Sequence, residues 1–117
     1  MDLHQYIKPA NGWKVPIWET LLDGSCRPSW HVHYRDWDKL KTAIFEMNEK
    51  HRHTFVDLGA NLGLISVMAK QFFKRVIAVE PHPVTAECLR CNMEQETNGM
   101  PSGTYQVIEA AAGQKKD

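Results

Sequence analysis

Apolar residues follow two different spacings along the chain from residue 55 onward. Short runs rich in β-branched residues are typical of buried parallel strands, and longer stretches with apolar positions three and four apart are typical of helices. The predicted order is strand 55–58, helix 62–73, strand 75–79, helix 83–96, loop 97–103 and strand 105–109. Strands that alternate with helices predict an α/β fold with a parallel sheet in the spatial order 3-2-1 and right-handed crossovers.

Residues 1–52 form a second segment, which differs in character from residues 53–117. Several prolines and glycines interrupt residues 1–34, so we expect irregular structure there, with a short strand or helix near 15–22. Asp36 is expected to cap a helix that runs to about Lys50. The apolar stripe of that helix is Trp37, Leu40, Ile44 and Met47. The four tryptophans, Trp13, Trp18, Trp30 and Trp37, are interpreted as core rather than as a binding surface.

The charge balance argues against a nucleic-acid or membrane-surface partner. Lysine plus arginine number 14 and aspartate plus glutamate number 14, with no long run of one sign. No apolar stretch approaches the roughly 20 residues of a membrane-spanning helix. The first ten residues contain Asp2, His4 and Lys8, which is unlike a signal peptide. We therefore expect a reduced, cytoplasmic protein.

Closely spaced cysteine and histidine pairs are candidate metal ligands. Cys88 and Cys91 are one helical turn apart, and Cys26 is the third cysteine. The histidine pairs are His31-x-His33 and His51-x-His53. None of these spacings completes a zinc module or a facial triad, so no metal is predicted and the cysteines are interpreted as small buried residues.

A glycine turn, residues 59–63, connects the first predicted strand to the helix that follows. The second predicted strand ends in a carboxylate, Glu80, about 20 residues beyond the turn, which is where a nucleotide-binding βαβ unit places its ribose partner. An ionised carboxylate can accept hydrogen bonds from both ribose hydroxyls. The alternative is that the turn has a purely structural role and binds no ligand. The combination of Asp57, Asn61, Glu80 and the two strands favours a ligand site.

The turn lacks the features that would hold a phosphate. A P-loop requires a lysine after its last glycine, and Gly63 is followed by Leu64 and Ile65. A dinucleotide fingerprint requires glycine where this chain has Asn61 and Leu64. The third candidate pattern is acid-x-Gly-x-Gly-x-Gly of S-adenosylmethionine-dependent methyltransferases, which Asp57, Gly59, Asn61 and Gly63 meet with one substitution. In this interpretation Asp57 faces the ammonium group, helix N–H groups face the carboxylate, and Glu80 holds the ribose.

Three segments also resemble the FkbM-type methyltransferases, which are class I, Rossmann-like and mostly O-methyltransferases. The segments are Val-Asp-Leu-Gly-Ala-Asn-Leu-Gly (56–63), Val-Ile-Ala-Val-Glu-Pro-His-Pro (76–83) and Val-Ile-Glu-Ala-Ala-Ala-Gly (107–113), together with Leu89 and Asn92. The resemblance covers about residues 53–114. It implies S-adenosylmethionine as cofactor. The cofactor-binding residues that it implies are Asp57, Gly59, Ala60, Asn61, Gly63, Glu80, Pro81, His82, Glu109 and Ala110. Glu109 and Ala110 would lie near the adenine.

The resemblance also implies a partial, truncated domain, because family members continue beyond the third strand with a fourth strand and further elements. One edge of strand 55–58 would then be open, and residues 1–50, a second copy or a separate chain could cover it. The implied reaction is methyl transfer to a hydroxyl of a sugar, lipid or small metabolite. The main alternative is a non-catalytic S-adenosylmethionine-binding or interaction module. A dinucleotide-binding module is the other alternative, and the missing glycines of its fingerprint argue against it. No catalytic base is assigned. His31, His33 and His82 are candidates, although the position of His82 favours a helix cap.

Overall fold

Five strands form two separate sheets in the part of the chain that the structure describes. The structure is a computed structural model that describes residues 2–10, 12–19, 29–97 and 104–111, with the backbone alone for 29–37. The strands are β1 (Ile7–Ala10), β2 (Trp13–Pro16), β3 (Thr54–Leu58), β4 (Arg75–Val79) and β5 (Tyr105–Ile108). The helices are α1 (Ser29–Glu46), α2 (Leu64–Ala69) and α3 (Pro83–Glu96). Cys26 and most of the predicted loop 97–103 lie outside the described residues.

The larger sheet is parallel, as predicted, and β4 lies between β3 and β5. The register places Phe55, Val76 and Tyr105 in one row across the sheet. Their side chains point to the face that the helices cover, because side chains alternate along a strand and both crossover helices lie on one side. The main core is built there from Ile44, Ala60, Ala69, Phe73, Val76, Ala78, Leu89 and Met93.

The limits of most elements after residue 53 agree with the predicted pattern. Strands β3 and β4 and helix α3 begin and end within one residue of the predicted positions, and β5 ends at Ile108 instead of 109. The prediction for α2 was too long, since the helix covers Leu64–Ala69 and not 62–73. Gly63 has a φ of +99°, which excludes it from a right-handed helix. After Ala69 the backbone hydrogen bonds include the shorter spacing of a 3-10 turn, since the Phe72 N–H donates to the Ala69 carbonyl at 2.9 Å.

The predicted limits of α1 were wrong at both ends. The helix begins at Ser29, so Asp36 lies within it and is not its cap. It ends at Glu46 because Asn48 is extended (φ −60°, ψ 134°), and the Asn48 side chain accepts from the Lys50 N–H to begin a short 3-10 helix, Glu49–His51. Ile44, near the end of α1, is buried in the main core. The side chains of Trp30 and Trp37 are outside the described part.

The expectation of irregular structure is wrong for residues 7–16, which form a β-hairpin. Strands β1 and β2 pair antiparallel, with Ala10 opposite Trp13. Gly12, in the connection, has a φ of +82°, a conformation that glycine adopts without strain. A 3-10 helix, Ile17–Glu19, follows β2, inside the region where a short strand or helix was expected.

The hairpin is fastened to α3 through the buried side chain of Asn92, which is 1% exposed. Asn92 Oδ1 accepts from the Lys14 N–H at 2.7 Å, and Asn92 Nδ2 donates to the Lys14 carbonyl at 2.9 Å. The side-chain amide thus pairs with Lys14 as a neighbouring strand would. Nδ2 also donates to the Leu62 carbonyl of the glycine turn at 2.8 Å. One side chain therefore joins β2, α3 and the turn.

A second, smaller core lies under the hairpin. Its buried members are Ala10, Val15, Leu62, Leu64 and Cys88, and Ile7 and Trp13 pack against it. Leu62 and Leu64 belong to the glycine turn and the start of α2, so the hairpin covers the back of the turn. The half-buried Trp13 fits the interpretation of the tryptophans as core, whereas Trp18 is exposed.

Strand β3 pairs only with β4 among the described residues. Val56 and Leu58, on the face opposite the helices, are 53% and 63% exposed. The hairpin lies on α3 and the turn, so it is not the cover that the sequence suggested for this edge.

No helix in the described ranges is long and apolar enough to cross a membrane.

We expect Asn92→Ala to lower the free energy of unfolding by about 3 kcal/mol. The substitution removes three hydrogen bonds and leaves backbone groups of Lys14 and Leu62 without those partners. Gln95→Ala is the matched control. Gln95 Nε2 also donates from α3 to the hairpin, at 2.8 Å to the Gly12 carbonyl, but in an exposed position. Its loss should cost less than about 0.5 kcal/mol. Urea denaturation measures both changes, and an equal cost for the two variants would contradict the role given to Asn92.

Candidate functional site

The turn between β3 and α2 contains three residues with left-handed backbone conformations. Gly59, Asn61 and Gly63 have φ values of +74°, +54° and +99°. Asparagine tolerates this region better than other residues with side chains, which explains its presence between the two glycines. The Gly59 and Ala60 N–H groups both donate to the Val79 carbonyl at 2.9 Å. The turn is therefore folded over the carboxyl end of β4.

Glu80, which directly follows β4, is bonded to this turn. Its Oε1 accepts from the Asn61 N–H at 2.9 Å, and its Oε2 accepts from the His82 N–H at 3.1 Å. The side chain is only 8% exposed. An ionised carboxylate has about four acceptor positions, so two N–H donors leave capacity for two hydroxyl groups. The structure brings the predicted turn residues and the predicted ribose partner together.

Asp57, the penultimate residue of β3, is held by a residue that sequence reasoning missed. Asp57 Oδ2 accepts from the Ser66 hydroxyl at 2.7 Å, and Ser66 is fully buried in α2. The available sequence feature was a lone serine within an apolar helix, since a buried hydroxyl requires a polar partner. The half-buried Asp57 carboxylate is thereby fixed in orientation beside the turn.

The backbone amides of the turn are largely engaged within the protein. The N–H groups of Gly59, Ala60 and Asn61 have protein acceptors, and the Gly63 N–H donates to the Ala60 carbonyl at 3.1 Å. Helix α2 has only six residues and no side-chain cap, so its dipole is small. The contact expected between helix N–H groups and a ligand carboxylate stays a prediction. The polar groups that the site offers are mainly carboxylates.

His82 is the N-terminal cap of α3, as its position indicated. Its Nδ1 accepts from the Thr85 N–H at 3.5 Å, a long hydrogen bond, and Pro83 occupies the first helical position. Pro81 and His82 are both exposed beside Glu80. The ring of Trp18 lies against the His82 ring, with centroids 5.4 Å apart and an angle of 74° between the planes. His31 and His33 lie where the structure describes the backbone alone.

Glu109 and Ala110 follow β5 at the same edge of the sheet, because the carboxyl ends of parallel strands meet there. Both residues are exposed. The Glu109 carboxylate forms an ion pair with Arg90 of α3 at 3.5 Å, and Arg90 also pairs with Glu87 at 3.2 Å. The Glu80 N–H donates to the Ile108 carbonyl at 3.0 Å, which connects this segment to Glu80.

Cys88 is buried in α3 and Cys91 is half-buried. Burial, together with the smaller effects of nearby Cys91 and Glu87, raises the pKa of the Cys88 thiol to about 12. Burial, together with Glu87, also raises the pKa of Cys91. Thiols that resist ionisation are poor metal ligands and poor nucleophiles. Within the described ranges no three histidine, cysteine or acidic residues are grouped to hold a metal ion.

Comparison with known proteins finds a likeness in fold. No family model matches the sequence, and no curated protein matches it. A solved structure of a SAM-dependent methyltransferase from Leishmania major, of the DUF858 family, superposes with a TM-score of 0.52 and 20% identity. The match covers 70% of this chain and 31% of that one. This chain has a methyltransferase-like fold. It spans about a third of the length of the methyltransferase that it matches.

The two glycines of the turn differ in what a side chain would meet. A Cβ at Gly63 would lie 2.9 Å from Leu89 Cδ1 in the packed core, whereas a Cβ at Gly59 would meet nothing within 4 Å. We expect Gly59→Ala to cost about 1 kcal/mol of unfolding free energy for the left-handed backbone alone. Gly63→Ala should cost about 1 kcal/mol more, because Leu89 must move. Urea denaturation of both variants measures the difference, and equal costs would disprove the close contact.

Proposed function

We propose that this chain binds S-adenosylmethionine and forms the cofactor-binding part of a methyltransferase, of the FkbM type. The observation that carries the proposal is the Glu80 carboxylate, which is hydrogen-bonded to the glycine turn with acceptor capacity left for a ribose. The turn has no lysine for a phosphate, which favours this cofactor over a nucleotide. The likeness to a methyltransferase structure supports the fold that the proposal requires.

The residues present fit such a ligand in the following way. Glu80 would accept from both ribose hydroxyls, and Asp57, oriented by Ser66, would face the ammonium group. Gly59, Ala60, Asn61 and Gly63 would line the methionine part, where the absence of side chains at the glycines lets the ligand approach the backbone. Pro81 and His82 would lie beside the ribose. Glu109 and Ala110 would lie near the adenine.

The proposed chemistry is methyl transfer to a hydroxyl of a sugar, lipid or small metabolite in the cytoplasm. Bound S-adenosylmethionine would supply an activated methyl group for the acceptor hydroxyl. The protein would have to align the two reactants and provide an acceptor for the proton that the hydroxyl loses. We assign no base, because His82 caps α3 and no other described residue stands out for the role.

The calorimetric test uses S-adenosylhomocysteine, the demethylated form of the cofactor. We expect the folded chain to bind it, and Glu80→Gln to bind at least about tenfold more weakly, because charge-assisted hydrogen bonds are roughly twice as strong as neutral ones. Glu87→Gln, on α3, is the control and should bind like the wild type. A folded wild-type chain that releases no heat at high ligand concentration would overturn the proposed function. Circular dichroism establishes folding in each case.

We also propose that a second copy of this chain covers the open side of β3. The exposed Val56 and Leu58 give the uncovered face of the sheet next to that edge an apolar surface, and a net charge of zero means that two copies do not repel each other at long range. In analytical ultracentrifugation, Leu58→Lys should then lower the sedimentation coefficient from the value of a dimer to the value of a monomer. Met47→Lys, which charges an exposed apolar residue on the loop after α1, should leave it unchanged. A monomeric wild type at high concentration would refute self-association and favour a different chain at this edge.

A further inference from the structure

Trp18 is a large side chain that the proposed site does not yet use. It lies on the 3-10 helix Ile17–Glu19, directly after the hairpin, and is 41% exposed. Its ring meets His82 nearly at right angles, 5.4 Å between centroids. Neighbouring Ile17 is also exposed, so the two residues form an apolar surface at this point of the molecule. Exposed apolar surface next to a polar cleft is typical of a ligand site.

The indole is held near Glu80 through two independent connections. His82 touches Trp18 through its ring and donates its backbone N–H to Glu80 Oε2 at 3.1 Å. On the other side, Trp18 follows β2, which Asn92 fastens to α3 at Lys14. The first connection lies at the amino end of α3, and the second lies at Asn92, nine residues beyond Pro83 on the same helix. The distance between the indole and the carboxylate is therefore set by the fold.

We infer that Trp18 forms the wall against which the purine base of the ligand packs. This inference rests on the proposed function, because it takes Glu80 as the ribose partner. The base of a nucleoside is attached to the ribose carbon adjacent to the 2′-hydroxyl, so a ribose held by Glu80 carries its base within a few ångströms of the carboxylate. The Trp18 ring contacts the His82 ring, and the His82 backbone is bonded to that carboxylate. An indole offers the largest π-surface of any side chain to a base.

The experiment compares Trp18→Ala, Trp18→Phe and the wild type by calorimetry with S-adenosylhomocysteine, adenosine and methionine in separate titrations. We expect Trp18→Ala to bind S-adenosylhomocysteine and adenosine about tenfold more weakly, as stacking of a base on an aromatic ring predicts. Its affinity for methionine should not change. Trp18→Phe should keep both affinities within about threefold, because an aromatic surface remains.

Trp13→Phe is the matched control for disturbance of the hairpin. Trp13 packs against the small core beneath the hairpin and not against His82, so this variant should bind all three ligands like the wild type. Thermal unfolding of each variant shows whether the fold is intact. Trp18→Ala should melt close to the wild-type temperature, because the residue is exposed.

The outcomes separate this inference from the proposed function. A wild-type chain that binds none of the ligands contradicts the proposed function itself. A wild-type chain that binds S-adenosylhomocysteine, with Trp18→Ala binding it equally well, overturns the role of Trp18 alone. A Trp18→Ala variant that loses adenosine and methionine to the same degree also overturns it, since a general disturbance of the site would explain that result.

Discussion

The buried amide of Asn92 is the constraint on which the rest of this structure depends. A polar group without access to water must find partners inside the protein, because a lost hydrogen bond there costs far more than one at the surface. Asn92 finds its partners in two separate parts of the chain, Lys14 in the hairpin and Leu62 in the glycine turn. Any shift of the hairpin along α3 would break these bonds, so this side chain fixes where β2 lies on α3, and the small apolar core beneath the hairpin supports that position.

The candidate site follows from a similar arrangement around Glu80. Its two oxygens each hold one backbone N–H, from Asn61 on one side and from His82 on the other. The glycine turn and the amino end of α3 are thus fixed at the carboxyl edge of the sheet by a charged group. Most backbone N–H groups of the turn donate hydrogen bonds within the protein. The carboxylates of Asp57 and Glu80 are the groups of the site that can accept further hydrogen bonds. This chemistry suits a ligand with hydroxyl and ammonium groups better than one with phosphates.

The parallel sheet is covered unequally on its two faces. The core formed by α1, α2 and α3 lies on one side, and Val56 and Leu58 are exposed on the other. Parallel sheets are normally buried on both faces, because each face carries apolar side chains. The matched methyltransferase is about three times as long as the part that this chain covers. Among the described residues, β3 therefore has one neighbouring strand and one apolar face without a helix over it.

Residues 53–111 could be predicted well from the sequence because their signals are local. A β-branched run identifies β4, a short apolar run before the glycine turn identifies β3, and Pro83 marks the start of α3. The hairpin was missed because prolines and glycines interrupt its periodicity, although Asn11-Gly12 is a strong dipeptide signal for a tight hairpin. The limits of α1 were missed because the stripe from Trp37 to Met47 does not show where the helix begins, and because Asn48 ends it by adopting an extended backbone.

The sequence by itself determined the α/β class and the order of the elements from β3 onward, and it indicated candidate site residues, since spacing and residue type are properties of short segments. Only the tertiary structure decided how those residues are held. The hydrogen bonds between Ser66 and Asp57 and between Asn92 and Lys14, and the ring contact between Trp18 and His82, join positions that no periodic pattern relates. Contacts of this kind depend on how packed elements meet in space. Glu80 could therefore be selected as a candidate ligand partner from its position in the chain, while its hydrogen bonds to the Asn61 and His82 N–H groups became evident only in the folded molecule.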